Sequence, residues 1–67
     1  MEITLNNNKE IIPKDELTVD DLLKWKNYSF KMLVIKINGT IIRKHEYSTT
    51  QINEGDYVVV LHLVSGG

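Results

Sequence analysis

The chain has no cysteine, a single proline, a single tryptophan and only two histidines. Without cysteine there is no disulfide, no thiolate metal ligand and no thiol nucleophile. Small secreted domains usually rely on disulfides, so the reducing cytoplasm is the expected compartment. With two histidines and no cysteine, His45 and His62 fall short of the ligand set that a zinc site requires. Charge of one sign is also missing: eight Lys and Arg stand against nine Asp and Glu, a net charge of -1. No general positive field is available to hold nucleic acid or an anionic membrane. The longest apolar run, Tyr57 to Leu61, is far short of the ~20 residues of a membrane span. No basic region followed by a long apolar stretch opens the sequence, so no signal peptide is expected.

Glycine is also sparse. Gly39 and Gly55 are isolated between hydrophobic segments, which reads as turns and excludes a Gly-rich phosphate loop. Asp20 and Asp21 are adjacent, and neighbouring helix positions do not face one another, so they form no acid/base pair. No catalytic constellation emerges from the polar residues.

What is present describes one ordinary globular domain over residues 1–67, with 42% hydrophobic and 25% charged residues. A core this small is marginal, and most apolar side chains must be committed to it. Glu2-Ile3-Thr4-Leu5 alternates polar and apolar, as a half-buried strand does. Asn6-Asn7-Asn8 tolerates left-handed backbone angles and predicts a tight turn into a second short strand at Ile11-Ile12, ended by Pro13. Thr18 is a suitable helix N-cap, with Asp21 three residues on and Leu17 and Leu22 at the two positions of a hydrophobic staple. Val19, Leu22, Leu23 and the stem of Lys26 form an apolar stripe, and the helix should stop near Asn27.

Leu33 to Ile37 predicts a strand, Asn38-Gly39 a hairpin turn, and Thr40-Ile41-Ile42 its partner. Residues 43–51 form a looser polar connection with room for a short edge strand or helical turn. Glu54-Gly55-Asp56 is a further turn. The segment from Tyr57 to Val64 is apolar on both faces, which predicts a central strand. The order β-β-α-β-β-β predicts an α+β fold, a mixed sheet of four to five strands with one main helix on one face. That order is the β-grasp, or ubiquitin-like, pattern.

The sequence ends in Ser65-Gly66-Gly67. Two terminal glycines contribute nothing to a fold and carry maximal backbone entropy. Such an end reads either as a frayed terminus or as a flexible tail, 65–67, slim enough to thread a narrow enzyme channel. Three extended residues reach roughly 10 Å. In the preceding strand Val58, Val60, His62 and Val64 share one face, and Val59, Leu61 and Leu63 the other. One face must pack under the helix and the other is left as a hydrophobic patch of the kind that marks binding sites. By analogy with other ubiquitin-like proteins, Val59, Leu61 and Leu63, joined by Leu5, are expected outward; a bulge would exchange the faces.

Three motifs, Thr18-Val19-Asp20-Asp21-Leu22-Leu23, Ile37-Asn38-Gly39-Thr40-Ile41-Ile42 and Glu54-Gly55-Asp56, together with the closing Val58 to Gly67, resemble the ThiS family of sulfur carriers over the whole length. Where that family often shows Pro-Arg and then a tryptophan after the second hairpin, this chain has Arg43-Lys44 and Tyr47. The resemblance implies a protein co-substrate with no catalytic residues of its own. A ThiF-type activating enzyme would use ATP and Mg²⁺ to adenylate the Gly67 carboxylate, with Gly66 and Ser65 completing the tail. A cysteine-derived persulfide would convert it to a thiocarboxylate, and a ThiG-type thiazole synthase would receive the sulfur. A MoaD-like carrier for molybdopterin, a carrier for RNA thiolation, and a β-grasp binding module without tail chemistry are the alternative readings.

Overall fold

In the computed structural model, which describes residues 1–28 and 32–63, the two Asn-rich turns organise the sheet. β1 (Glu2–Leu5) and β2 (Asn8–Ile11) pair antiparallel through Asn6 and Asn7, both at positive φ (50° and 68°). β4 (Leu33–Ile37) and β5 (Thr40–Ile42) pair through Asn38 (φ 51°) and Gly39 (φ 86°). Positive φ at both central residues is the requirement of a tight hairpin turn whose twist matches that of the strands, and Asn and Gly meet it at least steric cost.

Between the hairpins lie β3 (Leu17–Thr18) and α1 (Val19–Trp25). The helix starts where the sequence predicts. Leu17 and Leu22, the staple pair, are both fully buried. It ends in a Schellman motif: Asn27 turns left-handed at φ 61°, its N–H donates to the Lys24 carbonyl (3.1 Å), and the Tyr28 N–H donates to the Leu23 carbonyl (2.8 Å). Leu23 and Tyr28, the hydrophobic pair that accompanies this motif, both pack against the core.

The connection after β5 holds both elements for which the sequence leaves room. A 3₁₀ turn spans Lys44–Glu46, and β6 (Gln51–Ile52) pairs antiparallel with β3. Two-residue strands carry no periodicity. This small sheet exists because Leu17 and Ile52 stand opposite each other and are both buried.

β7 (Tyr57–His62) is the central strand of a five-stranded sheet ordered β2-β1-β7-β4-β5, parallel to β1 and antiparallel to β4. This is the α+β, β-grasp arrangement. α1 covers one face, where Ile3, Leu5, Ile35, Ile37, Val58 and Val60 meet Val19 and Leu22. Full burial of each such side chain stabilises the fold by about 1.5–3 kcal/mol. Ile12, read from the sequence as part of the second strand, lies just past β2, yet it is fully buried, its N–H donating to the Met1 carbonyl at 2.8 Å.

Candidate functional site

The uncovered face of the sheet is the candidate site. Val58 and Val60 are buried under the helix; alternation therefore turns Val59, Leu61 and Leu63 the other way. Val59 is half-buried by its strand neighbours, while Leu61 and Leu63 remain 48% and 47% exposed. The ladder adds flanking residues, because directly paired positions share a face. Val34 stands opposite Leu61 and Lys36 opposite Val59, and Ile41 on β5 is paired with Lys36. Tyr57 opens the row at the other end of β7, its hydroxyl donating to the Asn7 side-chain oxygen. The result is an apolar strip along β7, widened by Val34 and Ile41, with one lysine in its middle.

Leu5 does not belong to this surface. It pairs with Val58 in the parallel register and shares that residue's inward face, leaving only 3% exposed. The signal lay in β1 itself: Ile3 and Leu5 are two apart and so share a face, which leaves Glu2 and Thr4 to face outward. Val34, Lys36, Ile41 and Tyr57 were not picked out from the sequence, although alternation within Leu33–Ile37 and the register set by Asn38-Gly39 pointed to the first three. Placing them beside β7 needs the long-range β4–β7 pairing, which no local pattern reveals.

β7 leads this strip toward the chain end. Its pairing with β4 runs from Ile37↔Val58 to Leu33↔His62, and the Leu63 N–H then donates to the Met32 carbonyl at 2.8 Å. The residues expected to form the tail, Ser65, Gly66 and Gly67, lie outside the described residues. Among the described residues, no group of three or more His, Cys, Asp or Glu could hold a metal ion, and no helix is long and apolar enough to cross a membrane.

The family model of the ThiS family matches residues 1–67. The chain belongs to the ThiS family. It is similar to the sulfur carrier protein ThiS of Bacillus subtilis (strain 168), at 29% identity over 65 residues, covering 97% of this chain and 98% of that one. Its fold matches the crystal structure of a thiamine biosynthesis protein (ThiS) from Geobacter metallireducens with a TM-score of 0.88, at 23% identity and over the full length of both chains. The solution structure of a thiamine biosynthesis protein from the same organism gives a TM-score of 0.82, covering 100% of this chain and 88% of that one. In this ThiS-family chain, then, the exposed strip runs along β7, the last strand of the described residues.

Proposed function

We propose that this protein is a sulfur carrier for thiamin (thiazole) biosynthesis, acting as a co-substrate through the carboxylate of Gly67. The observation that carries the reading is membership of the ThiS family across residues 1–67, which includes the Gly66-Gly67 end. The Bacillus subtilis relative, a sulfur carrier of the same length class, supports it.

A carboxylate is a poor electrophile. A ThiF-type partner, using ATP and Mg²⁺, joins the Gly67 carboxylate to AMP with loss of pyrophosphate, and the mixed anhydride gives the carbonyl carbon a good leaving group. The terminal sulfur of a cysteine-derived persulfide attacks that carbon, AMP departs, and an acyl disulfide forms. A second thiol cleaves its S–S bond and releases the thiocarboxylate, which delivers sulfur to a ThiG-type thiazole synthase. The carrier contributes reach and recognition: Ser65 and the glycines, lacking bulk, enter the partner's channel, while Val59, Leu61 and Leu63, with Val34 and Ile41, dock on its surface. Lys36, at the centre of that strip, favours a partner with a carboxylate facing it.

The test is intact-mass spectrometry after incubation with an activating enzyme, ATP and a sulfur donor. The expected gain equals the exchange of one oxygen for one sulfur, localised to Gly67 by fragmentation. Deleting Gly67 should leave folding unchanged and abolish the gain; sulfur loading of the truncated chain would refute the mechanism.

A further inference from the structure

Asn6 does two things at once. Its backbone, at φ 50°, turns the chain away from the sheet at the end of β1. Its side chain stays behind. The backbone ladder between β1 and β7 ends at Leu5↔Val58, followed by the Asn6 N–H donating to the Val58 carbonyl at 3.0 Å. One step further along β7, the Val60 N–H donates to the Asn6 side-chain oxygen at 2.8 Å, and the Asn6 side-chain amide donates to the Val60 carbonyl at 3.1 Å. A carboxamide has the same donor and acceptor as a peptide group, so this side chain extends a ladder whose main chain has already departed.

A second turn asparagine grips the other end of the same strand. Asn38, also left-handed at φ 51°, donates its N–H to the Tyr57 carbonyl (2.8 Å) and accepts the Tyr57 N–H on its side-chain oxygen (2.9 Å). Tyr57 begins β7, whereas Val60 is in its second half, two residues before its last residue, His62. Both clamps accept a β7 N–H on an asparagine side-chain oxygen, at opposite positions along the strand, but only Asn6 also donates from its carboxamide to the strand.

We infer that the Asn6 carboxamide is a positioning group for the last strand: by fixing both polar groups of Val60 it holds the second half of β7 on the β1 side, where the main chain of β1 has already turned away. The role in charging rests on the sulfur-carrier reading; the hold on β7 does not. Asn6→Gly isolates the side chain, because glycine accepts the left-handed backbone without strain and leaves the Val58 bond intact. Asn38→Gly, which likewise removes two side-chain bonds, one from the Tyr57 N–H at the strand's start (2.9 Å) and one to the Asp56 carboxylate (3.0 Å), reports what loss of stability alone does.

Amide hydrogen exchange and charging kinetics should be measured on both variants and the parent with a ThiF-type enzyme, ATP, Mg²⁺ and a persulfide donor. Asn6→Gly is expected to accelerate exchange at Val60 to Leu63 more than Asn38→Gly does. It should also lower kcat/KM for thiocarboxylate formation about tenfold relative to Asn38→Gly, the equivalent of one to two lost hydrogen bonds, with the loss residing mainly in KM. Equal slowing by the two variants, or unchanged exchange at Leu61 to Leu63, would overturn the inference. If the parent protein is not charged at all, the sulfur-carrier reading and the role in charging both fall, and the exchange data alone decide whether Asn6 fixes the strand.

Discussion

Thr18 and Asp21 cap the helix reciprocally: the Asp21 N–H donates to the Thr18 hydroxyl oxygen at 3.1 Å, and the Thr18 N–H donates to the Asp21 carboxylate at 3.1 Å. Two of the free N–H groups at the start of a seven-residue helix are thereby satisfied. Thr18 also closes β3, so the same residue ends a strand and starts the helix. Removing its hydroxyl by Thr18→Ala should cost about 1 kcal/mol, read as a lower midpoint in urea at unchanged slope.

The same contact gives the protein an acid limb. The hydrogen bonds from Thr18 hold the Asp21 carboxyl below its ordinary value of 3.8. A lowered folded-state pKa contributes stability that is fully present above that ordinary value and is lost as pH falls through the folded one. Urea midpoints measured from pH 6 down to pH 2 should therefore fall more steeply for the parent than for Asp21→Asn, and parallel curves would remove Asp21 as a cause.

At the other end of the helix the Lys26 ammonium lies 2.6 Å from the Glu10 carboxylate, joining the helix C-cap to β2. That hydrogen bond raises the Lys26 pKa above 10.5, outweighing the opposing effect of desolvation. The sign is the reverse of Asp21: the stabilisation is complete below 10.5 and disappears as pH rises through the higher folded value. Glu10→Gln should be less stable than the parent at pH 8, and the gap should close once Lys26 is deprotonated. A gap of constant size across that range would rule the pair out.

Leu5 and Leu61 make opposite predictions. Leu5 is in the core, so Leu5→Ala should destabilise the fold by about 2–5 kcal/mol, whereas Leu61→Ala on the exposed face should stay within about 0.5 kcal/mol. Thermal or urea unfolding of the two variants decides the assignment of faces directly.

A charge on the exposed strip tests docking separately from folding. Leu61→Asp should unfold like the parent, yet raise the KM for charging of Gly67 by about tenfold or more, as expected for an anchor residue near the centre of an interface. Unchanged KM would show that partners bind elsewhere on the domain.

Local chemistry was legible in the residues. Thr18 with Asp21, Asn38 with Gly39, and the left-handed Asn27 each declare a cap or a turn from their own side chains, since the energies involved act within four residues. The two-faced apolar run from Tyr57 likewise announced a central strand. Long-range pairing was not legible. The β3–β6 ladder joins residues more than thirty positions apart through two-residue strands that carry no period. The exposed strip forms only when β4 lies beside β7 and brings Val34 and Lys36 against Leu61 and Val59. The clamp of Asn6 on Val60 spans 54 positions. Sequence by itself determined the helix, the tight turns and the longer strands, because those choices are settled by neighbours along the chain, whereas β3 and β6 became strands only by pairing with each other. Which residues of neighbouring strands share the exposed face, and which residues hold the last strand in place, was decided only when the strands met, because register and cross-strand hydrogen bonds belong to pairs of segments and to neither segment alone.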